Sequence, residues 1–341
     1  MDRSALPVVV IGAGPVGLAA AAHLLERGLE PLVIERGTGP GHSIREWGHV
    51  RLFSPWTYVV DRAAGDLLRE RGWVSPDGDA YPTGHELVDG YLEPLAALPA
   101  MAERIRFSTE VVAVTRDGMD KMKTPGRDET PFAVTVRTAD GAESTILARA
   151  VLDASGTWAT PNPLGTNGRP APGERDAREH IAYSIPDVLG DARERYAGKR
   201  VLVVGSGHSA FNVLLDLVRL ADDAPGTEIT WAIRKPQNRL QHLFGGGAND
   251  ALPARGELGA RVQALVATGR LRLETEFRIT KLQTTPDGIV VSGVDRDLAP
   301  VDEIIATTGF RPDLEPLSEL RLALDPAVES PTALAPLIDP N

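Results

Sequence analysis

The stretch VVVIGAGPVGLAAAAHLLERGLEPLVIE, residues 8–35, decides the fold. Val8 to Ile11 is a β-branched run with no polar residue, as expected of a strand buried on both faces. Gly12, Gly14, Pro15 and Gly17 then break the run, and an alanine- and leucine-rich segment reads as a helix to about Arg27. Pro31 to Ile34 is a second apolar strand that ends in Glu35. Strand, glycine turn, helix and strand make a βαβ unit, the repeating element of a parallel α/β sheet. Residues 5–25, coming after Arg3, also imitate a signal peptide or a spanning helix, but these glycines and this proline would unravel a lone membrane helix. The expectation is a cytoplasmic chain with no membrane partner.

Each position of the turn has a task. Gly12 permits the tight exit from the strand, Gly14 lets the backbone approach a pyrophosphate, and Gly17 lets helix and strand pack closely; Ala13, Pro15 and Val16 complete the motif. The unpaired N–H groups and positive dipole end of the helix favour a phosphate without any lysine. Glu35, followed by Arg36, stands where a carboxylate accepts both hydrogen bonds of a ribose diol and repels a 2′-phosphate. The site suits an unphosphorylated adenosine, FAD or NAD. The alternative is a structural glycine turn with a surface glutamate.

The plan recurs about 190 residues later. Lys199 to Val204 is a second buried strand, Gly205, Ser206, Gly207, His208, Ser209 and Ala210 form a second turn, and Phe211 to Leu220 an amphipathic helix. The following strand, Glu228 to Ile233, ends not in an acid but in Arg234 and Lys235, with Arg239 close behind. A guanidinium fork and an ammonium suit a 2′-phosphate, so NADPH is favoured over NADH; the alternative is a solvated basic edge. His208 reads as decoration of the first helical turn, with a catalytic role as the alternative.

Between the two units the chain passes through an aromatic, irregular stretch (41–61), helical segments near 61–71 and 84–98, and short strands at 105–108, 111–116, 132–137 and 145–152. Gly118 to Pro131 reads as a solvated polar loop without a site of its own. Trp47, Phe53, Trp56 and Tyr58 are either core residues or, for Ser54 and Trp56, a wall against a flavin ring. The Pro-Gly-rich passage from Pro161 to Gly173 marks a domain boundary. Further on come a glycine triplet, Gly245 to Gly247, read as a mobile loop rather than a lid, and a helix near 257–267. The tail from Leu322 carries four prolines, which leaves no room for a long helix.

At 341 residues the chain suits two domains. Its 34 glycines and 27 prolines make it loop-rich without reaching low complexity, and its net charge of −11 opposes a nucleic-acid partner. The absence of cysteine excludes thiolate metal sites, a cysteine nucleophile and an internal dithiol. The seven histidines show no metal-ligand spacing, so no metal is expected.

GAGPVG near the N-terminus, DASGTW at 153–158, GSGHSA at 205–210 and ATTGFRPD at 306–313 together resemble the motif order of the flavin-dependent monooxygenase family, the flavin-containing and Baeyer-Villiger monooxygenases. Tyr81 to Tyr91 is also similar to that family's helix after the first flavin loop. The resemblance implies an α/β fold of two Rossmann-like dinucleotide-binding domains: residues 1–157 begin a discontinuous FAD domain, 158–307 form an inserted NADPH domain, and 308–341 return to the first. It places Gly156 and Gly309 at the crossings, beside FAD. It implies NADPH-dependent transfer of one oxygen atom from O2 to a small soft nucleophile or ketone, the flavin carrying the chemistry. A flavoprotein reductase acting on an external disulfide, ferredoxin or quinone, and a non-catalytic NADPH or flavin redox sensor, are the alternatives. No oligomeric state is specified, and a homodimer is compatible with the sequence.

The chain departs from the family in three places. Gly173, His180 and Tyr183 are spaced more loosely than the family's signature before the second turn, residues 41–47 lack its paired glycines, and the 28 residues after Asp313 do not spell a closing strand and long helix. The expectation from the last departure is that the 341-residue chain binds FAD weakly or not at all while keeping its NADPH site.

Overall fold

The computed structural model describes residues 3–244 and 253–338, so Gly245 to Gly247 lie outside the described residues. The chain divides into two compact units, one of Met1–Arg45, Pro55–Thr160 and Arg311–Asn341, the other of Glu46–Ser54 and Pro161–Phe310. The stretch 46–54, read from sequence as part of 1–157, is grouped with the second unit because Trp47 and Val50 pack against that unit's core.

In the first unit β1 (Val8–Ile11), β2 (Pro31–Ile34), β3 (Ile105–Arg106) and β7 (Ala150–Asp153) form a parallel sheet in the order β3-β2-β1-β7. Helix α1 (Pro15–Glu26) joins β1 to β2. It starts with proline, whose missing N–H costs nothing in the first turn. It stops at Gly28, whose φ of +67° lets Gly28 N donate to Leu25 O and Leu29 N to Leu24 O. A separate antiparallel meander, β4 (Thr109–Arg116), β5 (Phe132–Thr138) and β6 (Glu143–Ala148), packs Val111, Val114, Val134 and Val136 against Val9 and Ile34. The single strand expected over 145–152 is thus two, broken at Arg149, where the chain leaves one sheet for the other.

The helix expected near 61–71 is α2 (Arg62–Arg69), capped by the Asp61 carboxylate, which accepts from Ala64 N at 3.0 Å. The segment expected near 84–98 starts at a capping box, Thr83 with Glu86, but is interrupted by one π-helical turn at Val88–Leu92. Pro94 explains the interruption. It has no N–H, and its ring would strike the Gly90 carbonyl four residues back. The carbonyl so released accepts from Trp73 Nε1 at 2.9 Å.

One sequence expectation needs correcting. The polar loop 118–131 is not merely solvated: Arg127 is buried, and its guanidinium donates to Asp120 O at 2.8 Å and to Glu319 O at 3.2 Å. Lys121 Nζ donates to Ser318 O, and Arg321 Nε to Lys121 O at 2.6 Å. The loop clasps the returning segment, whose Leu317 joins the core. Beyond it, the described tail forms a minimal hairpin, Leu324–Asp325 with Ser330–Pro331, and one short turn.

The second unit is a five-stranded parallel sheet of β8 (Ile181–Ala182), β9 (Arg200–Val204), β10 (Glu228–Ala232), β11 (Arg272–Glu274) and β14 (Glu303–Ala306), in the order β11-β10-β9-β14-β8. Its alternating residues serve two cores. Val201, Val203, Trp231 and Ile305 face helices α3 (His208–Asp223) and α4 (Pro253–Ala267), while Leu202, Val204, Ile304 and Ala306 face the hairpin of β12 (Lys281–Thr285) and β13 (Gly288–Ser292). Both faces are covered, which is why these strands read as continuous apolar runs.

Arg200 and Asp302 tie β9 to β14. Asp302 accepts from Arg200 N at 2.8 Å and Nη2 at 2.5 Å, and the bonds from Arg200 hold its carboxyl below the ordinary 3.8 against the opposing effect of burial. A lowered folded-state value means stability that is present above the unfolded value and lost as pH falls through the folded one. Asp302→Asn should cost about 0.5–1 kcal/mol at pH 7. That cost should shrink as pH falls below the ordinary 3.8, so thermal melts of wild type and variant should draw together as the solution is acidified.

Candidate functional sites

Both glycine turns lie at the carboxyl ends of central parallel strands, where strand order reverses: β1 between β2 and β7, and β9 between β10 and β14. Open α/β sheets bind their ligands at such points.

In the first turn Gly12 has φ +99°, and a Cβ there would meet Ala154 O at 2.7 Å. A Cβ on Gly17 would stand 1.9 Å from Gly12 O, whereas at Gly14 nothing lies within 4 Å. The protein's own packing therefore requires two of the three glycines; the third faces open space, as close approach by a phosphate needs. No side chain caps α1, and Val16 in its first turn is exposed. Glu35 closes the turn from the other side, its Oε2 accepting from Ala13 N at 2.7 Å and its Oε1 from Gly37 N at 2.6 Å. Each oxygen keeps a lone pair for a ribose hydroxyl. The glutamate thus braces the turn, a structural part that sequence reading did not assign.

Glu35 and Arg36 line a pocket of about 860 Å³, open to solvent, with Gly12, Gly156, Asp153, Thr109, Glu110 and, from the returning segment, Asp313 and Leu317. Arg36 stands 4.0 Å from Glu110. Four carboxylates against one arginine oppose a phosphate on the ribose. Glu110 had no motif to reveal it; Asp313 stood inside the ATTGFRPD segment and could have been flagged.

The second turn repeats the geometry. Gly205 has φ +128° with a Cβ position 2.2 Å from Thr307 O, and Gly207, the uncapped start of α3, again has nothing within 4 Å. Ala210, in place of a third glycine, is fully buried. Ser206 and Ser209 are partly exposed on the turn. After β10 the chain passes through buried Ile233 to Arg234 and Lys235, both exposed and without a side-chain partner among the described residues; Arg239 is likewise exposed.

Residues 9–332 match the family model described as pyridine nucleotide-disulphide oxidoreductase. The chain belongs to this family. It is an FAD-dependent oxidoreductase linked to a pyridine nucleotide, and it is similar to the flavin-dependent monooxygenases. A ferredoxin–NADP reductase of Salinispora tropica is 27% identical over 93% of this chain and 78% of its own length. An indole-3-pyruvate monooxygenase of Oryza sativa subsp. japonica is 31% identical over 62% of this chain and 45% of its own. Among solved structures, bacillithiol disulfide reductase from Bacillus cereus superposes with a TM-score of 0.70 at 21% identity, over 94% of this chain and 83% of that one.

The other residues of this oxidoreductase singled out from sequence are placed as follows. Gly156 (φ +72°) lines the first pocket. Gly309 (φ +88°) belongs to the second unit, where its carbonyl accepts from Asn162 N at 2.9 Å. Trp56 is buried with its ring against Gly90, which fits the core reading, while Tyr58 is exposed and Ser54 belongs to the second unit. Gly173, His180 and Tyr183 all have structural partners: a Cβ on Gly173 would stand 1.9 Å from Leu282 O, His180 Nδ1 lies 3.2 Å from Glu303, and the Tyr183 hydroxyl donates to the buried Glu174. No helix among the described residues is long and apolar enough to cross a membrane.

The three glycines of the first turn can be told apart experimentally. Gly14→Ala, with room for its methyl group, should keep the wild-type melting temperature and lose bound flavin; Gly17→Ala should lower stability by about 1–3 kcal/mol through overpacking. Flavin absorbance per protein and a thermal melt on each variant make the check.

Proposed function

We propose that the chain is an NADPH-dependent FAD monooxygenase, with residues 1–157 and 308–341 holding FAD and 158–307 holding NADPH. The observation that carries the reading is the opposed chemistry of the two turns, Glu35 among carboxylates at the first and exposed Arg234 and Lys235 at the second. One site excludes a 2′-phosphate and the other attracts it, so NADPH is the donor and FAD the acceptor. Bound FAD would supply hydride acceptance and reaction with O2.

The protein's own part is binding and orientation. Glu35 receives the adenosine ribose, and Gly12, Ala13, Gly14, Pro15, Val16 and Gly17 present backbone to the pyrophosphate. Arg36, Gly156 and Gly309 complete the FAD set. Gly205, Ser206, Gly207, His208, Ser209 and Ala210 do the same for NADPH. Balance requires that substrate, O2, NADPH and a proton give oxygenated substrate, NADP+ and water. The substrate is a small soft nucleophile or ketone.

The absence of cysteine supports oxygen transfer over dithiol chemistry within the chain. The longer alignment with a ferredoxin–NADP reductase favours a second reading, electron transfer to an external acceptor. Oxygen uptake separates the two. A monooxygenase consumes NADPH and O2 together and forms oxygenated product when thioethers, amines or ketones are supplied; NADPH oxidation that waits for ferredoxin, a quinone or a disulfide would overturn the first reading.

Arg234 tests the nucleotide choice. Charge-assisted hydrogen bonds contribute about 1.5–3 kcal/mol each. Arg234→Ala should weaken NADPH by roughly ten- to a hundredfold and scarcely change NADH. Calorimetry with both nucleotides reads the difference, and equal loss would make Arg234 structural.

A further inference from the structure

Within the second unit, the segment 46–54 lies along helix α3. Trp47 and Val50 pack on the core that α3 helps to form. Asp216 lies two turns along α3 from His208; burial pushes its carboxyl up, and the charges of Arg219 and His49 pull it back. His49 Nε2 is buried without a hydrogen-bond partner among the described residues. At the start of α3, the His208 ring is held between two phenylalanines, Phe53 at 5.2 Å and Phe211 at 5.8 Å between ring centroids. Both distances fall within the range of favourable aromatic pairs.

His208 is also the first residue of α3, directly after the open Gly207. A pyrophosphate bound by the amides of that first turn fixes the His208 backbone, and with it the ring on which Phe53 rests. Trp47 and Val50 hold the earlier part of the segment against the core of the second unit, and Phe53 meets the His208 ring nearer its end.

We propose that His208 is a positioning residue that couples pyridine-nucleotide binding at Gly205–Ala210 to the order of residues 46–54, with Phe53 as the receiving contact. The inference rests on the reading of that turn as the NADPH site. Binding couplings are reciprocal, so the ordered segment tightens the nucleotide by the factor with which the nucleotide favours the ordered segment. The segment runs directly into Ser54 and on to Trp56, the residues singled out from sequence for the flavin face. Nucleotide occupancy would thus set the conformation of the chain leading to them.

The test is hydrogen exchange of the full chain with and without saturating NADP+, alongside calorimetry. Amides in 46–54 should exchange about fivefold or more slowly with NADP+ bound. Phe53→Ala and His208→Ala should abolish this protection, with Phe53→Ala weakening NADP+ by the same factor, and Phe53→Tyr should restore both. A circular-dichroism melt confirms folding of each variant, and Phe53→Tyr, which keeps the ring, carries the test should an alanine variant unfold. Binding of NADP+ without protection of 46–54, or protection that survives both alanine variants, overturns the coupling alone. Calorimetry that detects no NADP+ binding overturns the reading of the site on which it rests.

Discussion

Both units depend on the same close approach, a glycine whose Cα faces the backbone at the end of the neighbouring strand. Gly12 meets Ala154 in the first unit, and Gly205 meets Thr307 in the second. Any side chain there would displace one strand end from another, and the parallel sheet would open where its order reverses. With strand ends in contact, the next backbone segment turns outward and leaves Gly14 or Gly207 facing space. The open space at each turn is thus a by-product of tight packing one or two residues earlier.

What differs between the cradles is charge. Glu35 takes two amide hydrogen bonds and stands among Glu110, Asp153 and Asp313, while Arg234 and Lys235 stand exposed beyond Ile233. Similar backbone geometry is therefore flanked by opposite charges. The glutamate's carboxylate satisfies amides that the glycine turn would otherwise leave bare, so it contributes to local stability.

Several contacts outside the cradles join distant parts of the chain. Arg127 reaches Glu319, Leu317 joins the core of the first sheet, and Phe53 rests on His208. These contacts turn the polar loop 118–131 into a clasp and the aromatic stretch 46–54 into part of the second unit.

The sequence by itself determined the two βαβ units and the opposite charges at their strand ends, because each is written within about thirty consecutive residues as hydrophobic period, turn residue and strand-end charge. It also excluded a cysteine nucleophile or dithiol within these 341 residues. Tertiary structure decided which backbone each close-packed glycine meets, since Gly12 and Ala154, or Gly205 and Thr307, are more than a hundred residues apart and no local pattern encodes their contact. It likewise decided that Arg127 is buried, that Trp56 is core and that 46–54 belongs with α3. In each case the deciding quantity is what surrounds a side chain, and that depends on distant segments of the chain meeting in space.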